Sequence, residues 1–320
     1  MNERRDFGTI GVLMGGVSSE REISLKSGKA VCEALEDAGC RIKPIDIVSD
    51  DPPGISELLS SARIDCAFVA LHGYFGEDGR IQEILERLRI PYTGSGVKAS
   101  RLAMDKLASR KVFETNGLRV PSYEVVHREY YDAGSAVGLG LCLPLVVKPV
   151  QHGSSIGLSI IDDRGELLCA IEKAFRVDTR ALVEEFVRGR EVTVGILDEQ
   201  PLPVIEIVPK SRFFDFEAKY QSADTEYTVP AKLSDEVARR CQGHALCAHK
   251  LLGCSGYSRV DMILDEHETP CILEVNTIPG LTATSLLPKA AKAAGIGFSR
   301  LCRTLVKGAY EKTDIYQETV

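Results

Sequence analysis

Short apolar runs alternate with amphipathic stretches over the first hundred residues of the chain. Strands that alternate with helices predict a parallel sheet with both faces covered. Such sheets bind ligands at the loops that follow their strands, here residues 15–20 and 72–78. Ser19 and Glu22 predict a capping box for the first helix. The predicted strands are residues 9–14, 41–48 and 66–71, and the predicted helices are residues 19–38, 55–62 and 79–88.

The pattern changes after residue 95. Residues 98–116 predict one helix with Met104, Leu107 and Val112 on its apolar side. From residue 191 onward the strands follow one another through short turns, which predicts antiparallel pairing. The chain is therefore predicted to combine an α/β part with an α+β part. The further predicted elements are strands at residues 145–147, 182–186, 192–197, 202–208, 259–264 and 271–276, and a helix at residues 234–252.

The last two of these strands predict a β-hairpin that carries two carboxylates. If the hairpin is symmetric about residues 267 and 268, Asp261 lies opposite Glu274, and Arg259 lies opposite Asn276, all on one face. Opposed carboxylates with Cβ atoms roughly 5 Å apart repel each other unless a cation lies between them. Two carboxylates and an amide suit Mg²⁺, which also takes phosphate ligands. An ordinary solvated hairpin is the alternative. The other face would carry Val260, Met262, Leu264, Leu273 and Val275 into a core.

A glycine-containing loop, HGSSIG at residues 152–157, follows the strand that ends near Lys148. Glycines let backbone N–H groups approach phosphate oxygens closely, and the lysine adds a positive charge. The loop does not have the Walker A pattern, which occurs nowhere in the chain. Either a phosphate-binding loop or a plain turn explains it.

Composition limits the classes of function. The chain has 320 residues, of which 44% are hydrophobic and 27% charged, with a net charge of −7. This composition is typical of a globular protein of two to three domains. The acidic balance argues against nucleic acid or an anionic membrane as a partner. No apolar run approaches the roughly 20 residues of a membrane-spanning helix, and no secretory cleavage site is visible. We therefore expect a cytoplasmic protein.

Ten cysteines are scattered without a C-x-x-C pair, which favours reduced thiols. One cluster has residue types that bind zinc: Cys241, His244, Cys247, His249 and Cys254. A buried helix face that contains Cys241, Ala245 and Ala248 is the favoured explanation of this spacing.

Several motifs occur together and in order. They are GGVSSEREIS at 15–24, HGYFGEDG at 72–79, YTGSG at 92–96, MDK at 104–106, the Lys148 loop, EAKY at 217–220, RVD at 259–261, EVNTIPGLT at 274–282 and SL at 285–286. In this combination the chain resembles the D-alanine–D-alanine ligases over about residues 8–310. Each motif alone is weak evidence for this family, but the whole set in this order is specific for it.

The resemblance implies an ATP-grasp fold and a ligase activity. The implied domains are an N-terminal α/β domain at 1–96, a central subdomain at 97–187 and a C-terminal subdomain at 188–320 with a lid loop at 209–230. In this family, ATP phosphorylates the carboxylate of a first D-alanine, and the amine of a second attacks the acyl phosphate. The product serves peptidoglycan precursor synthesis. The family also implies two Mg²⁺ (or Mn²⁺) ions and a homodimer.

The resemblance implies roles for substrate-binding residues. Glu20 would bind the ammonium group of the first D-alanine, close to His72. Backbone N–H groups of Ser285 and Leu286 would bind the carboxylate of the second.

The resemblance also implies which residues stabilise the reaction intermediate and which bind the metal ions and ATP. Arg259 and the Gly280 backbone N–H would stabilise the tetrahedral oxyanion. Asp261, Glu274 and Asn276 would hold the metal ions. The residues implied to contact ATP are Lys106, Lys148, Ser154, Glu184, Glu185, Phe186, Val187, Glu191 and Lys219.

Tyr220 in the implied lid would hydrogen-bond to Ser154 and connect the lid to Glu20. A lid that excludes water suits an acyl phosphate, which hydrolyses readily. Tyr220 favours a dipeptide product, because related ligases that use D-lactate replace this tyrosine. Gln151 and His152 depart from the family, in which an acid or an arginine is common at this place in the glycine loop. The rival predictions are a D-alanyl-D-lactate-type ligase, another carboxylate–amine ligase of this fold, and a non-catalytic regulator that binds nucleotide or amino acid.

Overall fold

The computed structural model describes residues 6–132, 140–153, 156–208 and 225–317. These residues form one parallel and two antiparallel sheets, which confirms the predicted combination of α/β and α+β architecture. Ser154, Lys219 and Tyr220 lie outside the described residues, together with most of the predicted lid. Within the described ranges, every helix is too short or too polar to cross a bilayer.

The N-terminal sheet is parallel and three-stranded. Its region comprises β1 (Thr9–Gly15), α1 (Arg21–Asp37), β2 (Arg41–Ile47), α2 (Pro52–Ala62), β3 (Cys66–Val69) and α3 (Arg80–Arg87). The strand order is β2–β1–β3. Because side chains alternate along a strand, Ile10 and Val12 pack on the side of α1, whereas Leu13 packs with residues of α2 and α3. The carboxyl ends of β1 and β3 lead directly into the two loops that the sequence marks as ligand-binding.

The predicted capping box at the start of α1 is wrong. The helix begins at Arg21, and its N-cap is Glu20, which makes no side-chain capping bond. Ser18, not Ser19, holds this turn: its Oγ accepts a hydrogen bond from the Glu20 N–H at 3.1 Å and donates to the His72 carbonyl at 2.7 Å. The loop after β3 therefore fixes where the helix starts, a contact that local spacing does not reveal.

The central sheet is antiparallel and four-stranded, in the order β4–β7–β5–β6. Its region comprises α4 (Val97–Met104), α5 (Lys106–Thr115), β4 (Tyr123–His127), β5 (Leu145–Pro149), β6 (Ser159–Ile161), α6 (Leu167–Phe175) and β7 (Arg180–Glu185). Helix α6 packs on one face through Ile171, Ala174 and Phe175.

The single helix predicted at residues 98–116 is wrong, because two helices meet at Asp105. This residue has an extended backbone, and its carboxylate caps α5 by accepting a hydrogen bond from the Ala108 N–H at 2.9 Å. The same carboxylate accepts hydrogen bonds from Arg180 at 2.7 Å and Gln151 at 2.9 Å. These contacts with distant residues support the break, whereas the apolar spacing continues through both helices.

The C-terminal sheet is antiparallel, in the order β11–β10–β8–β12–β13, with β9 also paired to β8. Its region comprises β8 (Arg190–Leu197), β9 (Gln200–Pro201), β10 (Ile205–Val208), β11 (Glu226–Thr228), α7 (Asp235–Leu251), β12 (Tyr257–Leu264), β13 (Pro270–Asn276), α8 (Leu286–Ala293) and α9 (Phe298–Gln317). Helix α7 contains four of the five residues considered for zinc, and Cys254 follows the helix. Cys241, Ala245 and Ala248 lie in the core, and the described residues contain no metal-binding group of three or more His, Cys, Asp or Glu.

The last helix, α9, packs against the N-terminal region, whereas α8 packs on β8 of its own sheet. Leu301, Leu305 and Val306 of α9 share a core with Val31 and Leu35 of α1. The Tyr310 hydroxyl donates a hydrogen bond to the Phe7 carbonyl. Helix α9 therefore covers one face of the N-terminal sheet and contacts the segment that precedes β1. The domain boundaries at residues 96 and 187 remain a prediction.

The β12–β13 hairpin has the predicted register at the end that carries the polar residues. Arg259 pairs with Asn276, and Asp261 pairs with Glu274. Asp261 also pairs with Thr193 on the neighbouring strand β8. The carboxylates are therefore opposed as expected.

A β-bulge follows immediately and corrects the predicted core. The register shifts between Asp261 and Met262, and Met262 pairs with Ile272. A shift of one residue turns the following side chains to the other face. Ile272 is therefore in the core, and Leu273, which the symmetric hairpin placed there, lines a cavity instead. The other predicted core residues are confirmed: Val260, Met262, Leu264 and Val275.

Candidate active site

Two neighbouring cavities lie at the carboxylate end of the hairpin. The first, of about 540 Å³, lies between the central and C-terminal sheets, and the second, of about 380 Å³, lies against the N-terminal sheet. Gly153 and Glu274 line both. A Cβ atom built on Gly153 would lie 3.6 Å from Oε2 of Glu20, so the glycine loop of the first cavity closely approaches the second.

The first cavity has an apolar part and a charged end. Apolar walls come from both sheets, including Val146, Ile160, Ile263 and Leu273. The segment that joins β7 to β8 crosses one side. Every described residue that the sequence predicts to contact ATP lines this cavity: Lys106, Lys148, Glu184, Glu185, Phe186, Val187 and Glu191.

The two lysines at the charged end are buried and held in different ways. Lys106 Nζ donates a hydrogen bond to the His152 carbonyl at 2.7 Å and lies 3.5 Å from a Glu274 oxygen. Lys148 Nζ lies 2.7 Å from Oε1 of Glu184. Burial lowers the pKa of Lys148, although the Glu184 carboxylate opposes this shift. Both ammonium groups therefore lie where a polyanion could reach them.

Glu184 is shared between two cations. Its other oxygen forms an ion pair with Arg110, a residue of α5 that is 0% exposed. Burial alone would raise the pKa of Glu184, but the charges of Arg110 and Lys148 outweigh it and the net shift is downward. The sequence suggested that Glu184 meets the adenine or ribose; the structure places its carboxylate in a buried ion-pair cluster at the cavity wall.

Two backbone N–H groups of the segment between β7 and β8 already donate hydrogen bonds within the protein. The Glu185 N–H donates to the Ser122 carbonyl, and the Phe186 N–H donates to the Pro144 carbonyl. Glu191 pairs in the sheet with Ile207 and Ile263 and lines the cavity beside Leu273.

Asp261 accepts hydrogen bonds from three neighbouring side chains. Its carboxylate accepts hydrogen bonds from Arg259 Nε at 2.8 Å and Nη2 at 2.6 Å, and from Thr193 Oγ1 at 2.6 Å. Asn276 Nδ2 donates to the same group at 3.0 Å. Asp261 lines the first cavity, Asn276 lines the second, and Glu274 lines both. Two carboxylates and an amide are oxygen ligands of the kind that Mg²⁺ or Mn²⁺ takes.

The second cavity holds the residues predicted to bind substrate. Its lining includes Glu20, His72, Arg259, Glu274, Asn276, Gly280, Ser285 and Leu286. The chain therefore brings the loops after β1 and β3 together with the segment between β13 and α8. These parts lie far apart in the sequence.

His72 is buried and bonded through both ring nitrogens. Nε2 lies 3.0 Å from Ser27 Oγ, and Nδ1 lies 3.1 Å from the Ile278 carbonyl oxygen. Glu77 approaches Nδ1 at 3.7 Å and accepts a hydrogen bond from the Gly73 N–H at 2.9 Å. Burial raises the pKa of Glu77, and the contact with His72 opposes that shift.

Ser285 is the N-cap residue of α8. Its Oγ accepts a hydrogen bond from the Thr282 N–H at 3.1 Å, and its own N–H donates to the Thr282 carbonyl. A helix N-terminus favours an anion, and Leu286 occupies the first turn beside the cavity.

Sequence reasoning missed four residues that hold this site together. Arg110 lies one helical turn after Lys106, and Thr193 faces Asp261 across the sheet. Helical and strand periodicity could have suggested both. Ser27 and Glu77 contact His72. Glu77 lies in the motif at 72–79, which could have suggested it, whereas Ser27 carries no comparable signal.

Comparison with known proteins points to the family that the sequence motifs resemble. A family model described as the D-ala D-ala ligase C-terminus matches residues 112–307, and one described as the D-ala D-ala ligase N-terminus matches residues 50–95. A D-alanine–D-alanine ligase of Geobacter sulfurreducens is 48% identical over 301 residues, covering 94% of this chain and 93% of the relative. One from Halalkalibacterium halodurans is 45% identical over 308 residues, covering 95% and 99%.

Solved structures of the same family are similar to this chain over almost its whole length. A D-alanine–D-alanine ligase of Bacillus anthracis has a TM-score of 0.86 at 37% identity and covers 97% of this chain and 99% of its own. Its complex with ATP has a TM-score of 0.83 at 34% identity, covering 97% and 99%. The VanG D-Ala:D-Ser ligase of Enterococcus faecalis has a TM-score of 0.82 at 33% identity, covering 94% and 99%. The predicted ATP-grasp fold is confirmed, and the chain belongs to the D-alanine–D-alanine ligase family.

Proposed function

We propose that this chain joins two D-alanines into D-alanyl-D-alanine and converts ATP to ADP and phosphate, for peptidoglycan precursor synthesis. The observation that carries the proposal is the pair of cavities that share Glu274. A lysine-lined cavity adjoins one that offers an acid, an arginine and a helix N-terminus. A phosphoryl donor and an amino-acid acceptor can therefore lie next to each other.

ATP would occupy the first cavity, with its base between the apolar walls and its phosphates toward Lys106 and Lys148. The segment 185–187 and Glu191 would contact the base and ribose. Ser154 and Lys219 are proposed as further phosphate contacts. Asp261, Glu274 and Asn276 would hold the divalent ions. When bound, these ions neutralise phosphate charge during transfer.

The two substrates would occupy the second cavity. Glu20 is buried and lies beside the glycine loop, and its carboxylate would bind the ammonium group of the first D-alanine. His72 is fixed by Ser27 and the Ile278 carbonyl and would lie against that substrate. The carboxylate of the second D-alanine would lie at the start of α8, against Ser285 and Leu286.

The reaction then has two steps. A carboxylate oxygen of the first D-alanine attacks the γ-phosphorus and ADP leaves, which forms an acyl phosphate. The amine of the second D-alanine attacks the acyl carbon and loses a proton, and the tetrahedral intermediate expels phosphate. Arg259 and the Gly280 N–H would stabilise the oxyanion of that intermediate. Tyr220 and Ser154 are proposed to close the site against water.

Phosphate release with ATP, Mg²⁺ and D-alanine tests this function, with the product identified by mass spectrometry. L-alanine alone, D-alanine with D-lactate, and D-alanine with D-serine serve as comparison substrates. Release that requires D-alanine and yields the dipeptide supports the proposal. Turnover only with D-lactate would indicate the depsipeptide ligase, and ATP binding without turnover would indicate a regulator. We also propose a cytoplasmic homodimer, which fractionation and light scattering test.

A further inference from the structure

Arg110 is the largest fully buried side chain in the described part of the molecule, and it lines neither of the two cavities of the site. It lies on α5, one turn after Lys106, with its guanidinium carbon 5.2 Å from the centre of the Tyr123 ring. Its Nη2 forms an ion pair with Glu184. A buried cation is costly unless it is paired, so this placement needs an explanation.

Glu184 lies between Arg110 and Lys148, and the three side chains form a row that ends at the first cavity. Tyr123 pairs with Glu184 across β4 and β7, which positions the aromatic ring beside the row. The row has two positive charges and one negative charge. Its net charge is therefore positive, and Lys148 and Glu184 line the cavity whereas Arg110 lies behind them.

Without Arg110 the row would lose its net positive charge. Lys148 and Glu184 would form a one-to-one ion pair, because their atoms already lie 2.7 Å apart. The carboxylate would cancel much of the positive field that Lys148 offers to a phosphate. A guanidinium remains protonated across the physiological range and is therefore a fixed counter-charge.

We propose that Arg110 is a positioning residue for ATP: it satisfies Glu184 so that the ammonium group of Lys148 remains available to the phosphates. The inference rests on the proposed function, since it takes Lys148 as a phosphate ligand. Arg110 itself does not touch the nucleotide.

The test uses Arg110→Met in the full-length protein, with the Kd for a non-hydrolysable ATP analogue measured by calorimetry alongside steady-state kinetics. Both the Kd and the KM for ATP should rise about 10- to 100-fold, the range expected when a charged hydrogen-bonding partner is lost. The KM for D-alanine should remain close to that of the wild type. Arg110→Lys should recover part of the affinity.

A pH profile separates this role from a purely structural one. Burial lowers the pKa of Lys148, the charges of Glu184 and Glu274 oppose this shift, and the charges of Arg110 and Lys106 add to it. Removal of the Arg110 charge should raise that pKa, and the alkaline limb of kcat/KM for ATP should move to higher pH. A packing defect alone would lower the Tm and leave this limb in place.

A double-mutant cycle and a matched control complete the design. If Arg110 acts through Glu184, the double variant Arg110→Met/Glu184→Gln should bind ATP no more weakly than Arg110→Met alone. Arg101→Met removes an arginine from an exposed pair with Glu83 and should leave ATP affinity unchanged. Arg110→Gln is a second neutral variant, in case Arg110→Met does not fold.

The inference is overturned if the neutral Arg110 variants keep wild-type ATP affinity and an unmoved alkaline limb, or if the double variant shows additive losses. In either case D-alanine-dependent turnover by the wild type would leave the proposed function intact. Failure of the wild type to turn over D-alanine would instead contradict the proposed function, while the calorimetric comparison of ATP binding would still test Arg110.

Discussion

Arg259 and Asp261 lie two residues apart on β12 and are joined by two parallel hydrogen bonds, of 2.8 and 2.6 Å. A proposed oxyanion donor is thus held by a proposed metal ligand. Such a two-pronged pair fixes the plane of the guanidinium, which a lysine could not reproduce. The geometry of the reacting centre depends on this pair.

Replacing Arg259 by alanine is expected to lower kcat about 10²- to 10³-fold, the usual effect of losing an oxyanion donor. The KM for ATP should change little, because Arg259 lines the second cavity and not the first. Phosphate-release kinetics at varied ATP measure both values. Arg259→Lys keeps the charge without the fork and should remain strongly impaired. Turnover near the wild-type rate in either variant would exclude the assigned role.

Gly73→Ala should weaken binding of the first D-alanine. Gly73 has φ +70°, and an added Cβ would collide with Oε2 of Glu20. Gly39 has φ +77° with nothing within 4 Å of the added Cβ, so Gly39→Ala is a matched control for backbone strain. Both variants should lose about 1–2 kcal/mol of stability from the left-handed backbone.

Only Gly73→Ala should raise the KM for D-alanine at the first site, by about tenfold or more. Initial rates over a wide range of D-alanine resolve the two substrate sites. Equal KM values in the two variants would mean that Glu20 does not bind the substrate ammonium.

Because of the bulge in the hairpin, substitutions of the neighbours Ile272 and Leu273 should affect different properties, stability in the first case and ATP binding in the second. Ile272→Ala should lower the free energy of unfolding by about 2–5 kcal/mol, because Ile272 is fully buried in the core. Leu273→Ala should cost less stability and raise the KM for ATP, because Leu273 lines the first cavity. Urea denaturation and ATP kinetics on the same two variants check this. A larger stability loss for Leu273→Ala would place the bulge elsewhere.

Glu77 should make stability depend on pH. Burial raises its folded pKa above the ordinary value of 4.5. The unfolded chain therefore releases this proton at lower pH, and the stability of the folded protein falls as pH rises from about 4.5 through the folded pKa. Glu77→Gln removes this contribution, so its stability relative to the wild type should increase across that window.

Urea denaturation from acidic to neutral pH measures the difference, which changes by no more than about 1.4 kcal/mol per pH unit for one proton. Glu57→Gln, at an exposed position on α2, is the control. Its free energy of unfolding should vary with pH in parallel with that of the wild type. Parallel curves for Glu77→Gln and the wild type would contradict the prediction.

The sequence predicted much of this site because local periodicity and ordered motifs carry that information. The pairings of Asp261 with Glu274 and Arg259 with Asn276 follow from strand alternation and a symmetric turn. The same assumption failed one residue later, because a bulge changes register without leaving a mark in the apolar pattern.

The remaining errors have a common physical cause. Asp105 breaks a helix where Arg180 and Gln151 bind its carboxylate, and Ser18 replaces Ser19 at the start of α1 because it reaches His72. Each contact joins segments that are distant in sequence. A single sequence shows which residues can form helices and strands, but not which distant partner competes for a side chain.

The packing of α9 on the N-terminal sheet has a consequence for synthesis of the chain. Residues from Leu301 to Ala309 complete the core around β1 and α1, yet the ribosome delivers them long after those elements. The strands of the N-terminal sheet therefore wait, with one apolar face uncovered, until α9 has been made. A nascent chain stalled before α9 would present that face to chaperones and proteases, and C-terminal truncation should damage the beginning of the protein as severely as its end.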